Sequence, residues 1–357
     1  MISLAELEEQ LEHRVRRFAE WRRGVKLRFG WLAPLRIVLY GGYGDANRVQ
    51  VRGRVLEERP GAEPRIGDRR LSNFLRAWEQ FESDEVPGVH VRLEVGGAEK
   101  DLVTDGDGYF SAQIVLPEPG QPGWLPLSAR VLEAPYPASS LPSARGEVLL
   151  PSGHARFGVI SDIDDTILRT NVRNKLEMVY LTMLGNALTR RSFDGTRELY
   201  RGLALGGSAP FFYVSKSVWN IYPLLEQFIR EQGLPKGPLL LRQLRLFGSA
   251  VPAHKPEAIA QLLATYPALP FVLIGDSGEQ DLEIYLEAAR SHPGRVRAIL
   301  IRNVSSAERS EGLRALAARN TPPDCSVLLF DSAEAAIVRC RELGLWVKGA
   351  GEGNGWA

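Results

Sequence analysis

The chain is predicted to fold as an antiparallel β-sandwich followed by an α/β domain with a mostly parallel sheet. Two patterns carry this prediction. From Ile37 to about Leu132, short β-type segments are broken by Gly and Pro turns. After residue 150, apolar strand-like runs alternate with helical periodicity, which places helices on both faces of a parallel sheet. At 357 residues the length suits two domains, and 44% hydrophobic with 24% charged residues permits sizeable cores.

Composition also excludes some function classes. A net charge of +1 gives no global field for nucleic acid, so no nucleic-acid partner is expected. Two cysteines, Cys325 and Cys340, are too few for a disulfide framework or a zinc site and read as ordinary buried thiols. The start, MISLAELEEQLEHRVRRF, has no apolar signal core, and no run of about 18 uncharged apolar residues occurs anywhere. The expected setting is cytoplasmic, at most peripheral to a membrane.

Residues 1–34 are expected to hold an amphipathic helix over 4–23, with Leu4, Leu7, Leu11, Val15 and Phe18 on one stripe. Its acidic first half (Glu6, Glu8, Glu9) and basic second half (Arg14, Arg16, Arg17) suit the helix dipole. The basic half, with Trp21, Lys26, Phe29 and Trp31, also resembles an interfacial membrane segment. The sandwich is placed at 35–134, with strands in IVLYGGY, VQVRGRVLEE, VHVRLEVGG, YFSAQIVLP and LPLSARVLE and a helical insertion over 68–85. The stretch VTDGDGYFSAQIVL resembles the hairpin entry of transthyretin-like and Ig-like accessory domains. Asp105 and Asp107 fit a hairpin turn that needs no metal. Residues 135–150, opening on Pro135 to Pro142, read as a linker.

Within 151–357, strands are expected at Phe157–Ser161, Phe211–Ser215, Leu239–Leu244, Phe271–Ile274, Val296–Ile301 and Val327–Phe330. Helices are expected at 175–190, 194–203, 219–232, 256–265, 279–291 and 333–343. Ligands of such sheets bind beyond the carboxyl ends of the strands, and charge collects there in this sequence. The run FGVISDIDDTIL ends an apolar strand in Asp162, Asp164 and Asp165, followed by Thr166. Carboxylates packed this closely repel one another and favour a hard cation. An acidic turn capping a helix remains the plainer reading of that motif alone. Ser215, with Lys216 beside it, ends the second strand, where a hydroxyl and helix-entry N–H groups can hold a phosphate oxygen. Lys255 enters a helix and can neutralise a carboxylate against an incoming phosphate. The fourth strand ends in GDSGEQD: Gly275 permits close backbone approach, Asp276 stands at the strand end, and Asp281 is expected about one and a half turns into the next helix.

The D-x-D-x-T of Asp162, Asp164 and Thr166 resembles the first motif of the haloacid dehalogenase superfamily, and Gly275 to Asp281 resembles its fourth. FGVISDIDDTI, FYVSKSVWNIYPLLEQFI, HKPEAI and GDSGEQDLEIY together resemble the catalytic domain of the actin-patch-associated phosphatidate phosphatases, over about residues 145–305. The resemblance implies a haloacid dehalogenase-like Rossmannoid domain with a small cap and a Mg²⁺-dependent phosphatase. It implies Asp162 as nucleophile and metal ligand, and Asp164 as general acid/base with its backbone carbonyl on the metal. Asp276 would be a further metal ligand, with Asp281 as a supporting acid that completes the metal set. Ser215 and Lys255, with Lys216, would bind the transferred phosphoryl group. One departure is Val218, where a proline is expected before Trp219.

The segment after the first motif, 169–193, is short, so the site is expected to be open. Its apolar run (Met178, Val179, Tyr180, Leu181, Met183, Leu184) lies among Arg169, Arg173, Lys175, Arg190 and Arg191, which suits phosphatidate or a related lipid phosphate at a lipid surface. Packing of that run on the sheet is the competing reading. Two alternatives stand beside a lipid phosphatase. One is the same chemistry on a soluble or nucleic-acid phosphomonoester, and the other is a non-enzymatic scaffold in which the sandwich binds a protein partner.

Overall fold

The computed structural model describes residues 34–57, 86–135, 141–163, 187–205, 208–243 and 254–347. The expected helices at 4–23 and 68–85, most of the one at 175–190, residues 136–140, and the motif residues Asp164, Asp165 and Thr166 lie outside the described residues.

Seven strands form the first sheet: β1 Leu35–Gly44, β2 Arg48–Glu57, β3 His90–Val95, β4 Ala98–Val103, β5 Tyr109–Val115, β6 Gly123–Glu133 and β7 Ser143–Leu150. Their order is β4-β3-β6-β7-β1-β2-β5. All pairings are antiparallel except β1 with β7, a parallel seam of only Gly42↔Val148 and Tyr43↔Leu149. Where the sequence suggests two separate sheets, this seam joins two wings into one. Period-2 alternation turns Val91, Leu93 and Val95 inward from β3 while His90 stays exposed. These residues share one core with Val49, Val51 and Phe110 from the other wing. Ser143–Leu150, placed by sequence in the linker, is instead a full strand, and its pairing begins where Pro142 accepts a bond from the Val131 N–H at 3.0 Å. Strand β4 also escaped the sequence reading, because AEKDLV is polar on both faces, as an edge strand can be. The Asp105 carboxylate closes its own turn, accepting from the N–H groups of Asp107 (3.0 Å) and Tyr109 (2.8 Å).

The second sheet is all parallel: β8 Gly158–Ser161, β9 Phe211–Val218, β10 Leu239–Arg242, β11 Phe271–Asp276, β12 Val296–Arg302 and β13 Ser326–Phe330. Its order, β10-β9-β8-β11-β12-β13, reverses direction between β8 and β11 and so creates a crevice at their carboxyl ends. Helices α1 Ala187–Leu203, α2 Tyr222–Glu231, α3 His254–Thr265, α4 Asp281–Ser291, α5 Ala307–Asn320 and α6 Ala333–Glu342 cover both faces. Alternate strand residues serve the two faces. Val159, Val272 and Leu300 join Leu199, Phe228 and Ile337 of α1, α2 and α6. Ile160, Leu273 and Ile299 join Leu262, Tyr285 and Leu313 of α3, α4 and α5. Helix α5 was not foreseen, because AERSEGLRALAARN buries little beyond Leu313 and Ala317 and shows no clear apolar stripe. No helix among the described residues is long and apolar enough to cross a membrane.

The two units share their cores. Tyr40 and Tyr109 belong to one cluster of the second unit, and Tyr43 and Leu149 to the other. Lys236 adds an ion pair to Glu147 and lies 4.3 Å over the Trp124 ring.

Candidate active site

The register brings the site residues to one edge. Strand β8 pairs Ser161 with Ile274 of β11 and with Tyr213 of β9. The Asp162 N–H then donates to the Ile274 carbonyl at 2.8 Å, so Asp162, Asp276 and Ser215 emerge together at the carboxyl end of the crevice. Asp162 and Asp276 have no exposed surface at all. The Ser161 hydroxyl donates to the Asp162 carbonyl at 2.7 Å and pairs with the Tyr200 hydroxyl at 2.7 Å, which fixes the backbone beneath the first carboxylate.

Lys255 stands in the first turn of α3, where the helix dipole disfavours a cation. Carboxylates hold it there. Its ammonium, 1% exposed, lies 3.0 Å from Asp162 Oδ1 and 3.4 Å from Glu279 Oε2, and also bonds Asp281 Oδ1. The other Asp281 oxygen accepts the Asp276 N–H at 3.1 Å, so one side chain fixes both the cation and the end of β11. Asp276 Oδ1 is oriented by the N–H groups of Gly278 (2.6 Å) and Glu279 (3.1 Å).

Gly275 makes this possible. A Cβ there would sit 2.3 Å from Asp281 Oδ2 and 2.7 Å from its Cβ. Gly275→Ala is therefore expected to displace Asp281 and, with it, Lys255. A loss of about 1–3 kcal/mol in stability, read by thermal unfolding, is the expected result.

Carboxylate oxygens of Asp162, Asp276 and Asp281 lie within 4.8 Å of one another. Together with Glu279 they face two ammonium groups, Lys255 and Lys216, leaving two formal negative charges in excess. Burial, and next the charge of Asp162, push the Asp281 carboxyl up to about 8 although Lys255 pulls it down. Burial alone would lower the Lys255 ammonium, but Asp162 and Asp281 hold it above its ordinary value. Buried, oxygen-only and over-negative, the donor set of Asp162, Asp276 and Asp281 fits a hard divalent cation, with Asp162 and Asp281 also paired to Lys255.

Ser215 differs from expectation. It lies inside β9 rather than at its end, and the strand continues to Val218 before a 3-10 turn, Trp219–Ile221, leads into α2. Between the pairs Leu240↔Val214 and Arg242↔Val218, β9 advances further than β10, so residues 215–217 bulge out of the ladder. The Ser215 hydroxyl accepts the Ser217 N–H at 2.9 Å, and Lys216 reaches Glu279 Oε2 at 2.9 Å. Val218 has φ −89° and ψ 153°, extended and close to the region a proline would impose, so the missing proline leaves the loop shape attainable.

Of the residues singled out from sequence, Asp162, Lys255, Asp276 and Asp281 converge, Lys216 joins them through Glu279, and Ser215 lies on the adjoining bulge. Asp164 lies outside the described residues. Glu279, which links both lysines, was overlooked inside GDSGEQD, because only the folded loop shows where its side chain turns. Arg309 was also missed. It donates to the carbonyls of Ser277 (2.8 Å) and Glu279 (2.7 Å) and so secures that loop from α5, and nothing in the sequence marks it.

A buried carboxylate cluster around one ammonium, at the reversal point of a parallel sheet, is an arrangement in an α/β protein that can hold a cation and an anionic group side by side. Residues 157–303 match the family model of the catalytic domain of phosphatidate phosphatase APP1. Phosphatidate phosphatase APP1 of Saccharomyces cerevisiae is 35% identical over 155 residues, 42% of this chain and 26% of that protein. An uncharacterized protein of Schizosaccharomyces pombe is 29% identical over 215 residues, 58% of this chain and 35% of that protein. The chain thus spans about a quarter to a third of the length of these curated relatives. Among solved structures, a carbohydrate acetylesterase from Xanthomonas citri aligns with 80% of this chain and 65% of its own, at 9% identity and a TM-score of 0.27, too loose a likeness to carry an argument.

Proposed function

We propose that the protein is a Mg²⁺-dependent phosphatase of the haloacid dehalogenase type that hydrolyses phosphatidate or a related lipid phosphate. The observation that carries this reading is the buried Asp162 carboxylate held 3.0 Å from the Lys255 ammonium beside Asp276, within a segment of the phosphatidate phosphatase family. Asp162 attacks phosphorus in line, the ester P–O bond breaks, and Asp164 gives its proton to the leaving alkoxide. Asp164 then takes a proton from water, whose oxygen attacks the phosphorus of the aspartyl-phosphate. Orthophosphate leaves and the Asp162 carboxylate is restored. Lys255 offsets repulsion between Asp162 and the anionic ester, while Ser215, Lys216 and the bulge hold the phosphoryl oxygens. Mg²⁺, held by Asp162, Asp276 and the Asp164 carbonyl, would supply further charge neutralisation where the phosphate binds.

The lipid assignment rests on the family match. The segment 169–186, whose apolar and basic residues suit a lipid phosphate, and residues 4–31, which suit peripheral membrane contact, lie outside the described residues. Phosphate release from phosphatidate in mixed micelles is expected to require Mg²⁺, to stop on chelation and to exceed release from soluble phosphomonoesters. Equal or faster release from soluble esters would move the substrate while keeping the chemistry. No release from any ester would sink the reading.

A further inference from the structure

We propose that the first sheet is a positioning element for the phosphate-binding bulge, acting through Tyr40, Gly41 and Arg54 on the turn that follows it. The proposal rests on the reading of residues 215–217 as phosphate-binding. Those residues bulge out of the regular β9–β10 pairing, so the register with β10 does not by itself set their course. What fixes the chain immediately beyond them comes from the other unit. The Tyr40 ring lies 4.4 Å from the Trp219 ring and 4.9 Å from that of Tyr222. The Gly41 N–H donates to the Tyr222 hydroxyl at 2.8 Å, and that hydroxyl donates to Glu226 at 3.1 Å. Arg54, 4% exposed, packs 4.3 Å over the Tyr109 ring, donates from Nε to the Asp107 carbonyl at 2.9 Å, and reaches Asn220 Oδ1 at 3.3 Å.

Trp219, Asn220 and Tyr222 are therefore each gripped by β1 or β2, directly after the bulge. A guanidinium is costly to bury unless it is paired, and two of the groups Arg54 meets here are the Asp107 carbonyl and Asn220. The path to the chemistry is short: the bulge carries Lys216 to Glu279, and Glu279 meets Lys255. The hydrogen bonds among these contacts, unlike ring packing, are directional. Contacts concentrated on the turn after a bulge also set where that bulge lies.

The test uses the full chain with Tyr40→Leu, Arg54→Gln and, as the conservative control, Tyr40→Phe. Two readouts are compared: amide hydrogen exchange at residues 215–221 against residues 255–262 of α3, and steady-state kinetics on a soluble phosphomonoester with orthophosphate as inhibitor. Tyr40→Leu and Arg54→Gln are expected to speed exchange at 215–221 alone. Because small misplacements of a binding group weaken it strongly, they should also raise KM and the orthophosphate inhibition constant about tenfold. The Mg²⁺ half-saturation point should not move, and Tyr40→Phe should behave as the parent protein. Uniformly faster exchange with a lower melting temperature and unchanged KM would overturn the proposal, as would no change in either readout. Should Tyr40→Leu fail to fold, Tyr222→Phe, which removes one hydrogen-bonding group, should show the same split at roughly twofold. Local exchange changes in a protein inactive on every ester would sink the phosphatase reading and leave the positioning role standing. Active enzyme with unaltered local exchange and KM would do the reverse.

Discussion

Asp162→Asn is expected to lower phosphate release by about a thousandfold or more while leaving the protein folded. An amide cannot attack phosphorus as a carboxylate does, and no other described carboxylate lies ready to replace it: Asp276 is oriented by loop N–H groups and Asp281 is bound to Lys255. Stability should move the other way from activity. The substitution removes one negative charge from a cluster with two in excess, and it removes the repulsion that raises Asp281. The metal-free variant should therefore melt no lower than the parent, and its melting temperature should rise less on adding Mg²⁺. Residual activity within tenfold of the parent would remove Asp162 from the chemistry.

Lys255→Met is expected to cost about 3–5 kcal/mol of stability as well as most of the activity, because it leaves buried carboxylates without their cation. The side chain is 1% exposed and bonds Asp162, Glu279 and Asp281. The loss should depend on pH with a definite sign. Asp281 already binds its proton more tightly in the folded state, up to about 8, than an unfolded aspartate does at about 4. That contribution is fully present below about 4 and is lost as pH rises through about 8, so the metal-free parent should weaken across that window. Without Lys255 the carboxylates hold protons more tightly still, and the variant should regain stability on acidification. Urea unfolding at several pH values decides this, and a deficit independent of pH would mean that Lys255 contributes packing rather than charge.

Much of the site was legible because strand ends announce themselves: an apolar run that stops in Asp162, or in Gly275-Asp276, marks the edge where ligands bind. Lys255 was legible only through HKPEAI taken with the other motifs, since a lone lysine at a helix start is ordinarily exposed. The course of residues 215–217 was not, since the strand reads as ending at Ser215 and only the pairing with β10 shows that it runs on through a bulge to Val218. Glu279 and Arg309 act through loop geometry that has no period to read. In the first unit, alternation identified β1, β2, β3, β5 and β6. The polar edge β4 and the proline-fronted β7 carry no such signal, and the β1–β7 seam depends on a strand that sequence assigned to a linker.

Along a single strand, Tyr40 looks into one core of the neighbouring unit and Tyr43 into the other. Packing thus crosses the chain boundary near residue 150. Any replacement of the first unit would have to bring rings matching Phe212, Trp219 and Tyr222, which meet Tyr43 and Tyr40 across the join, so a substitution on one side of the join sets the terms on which the other can vary.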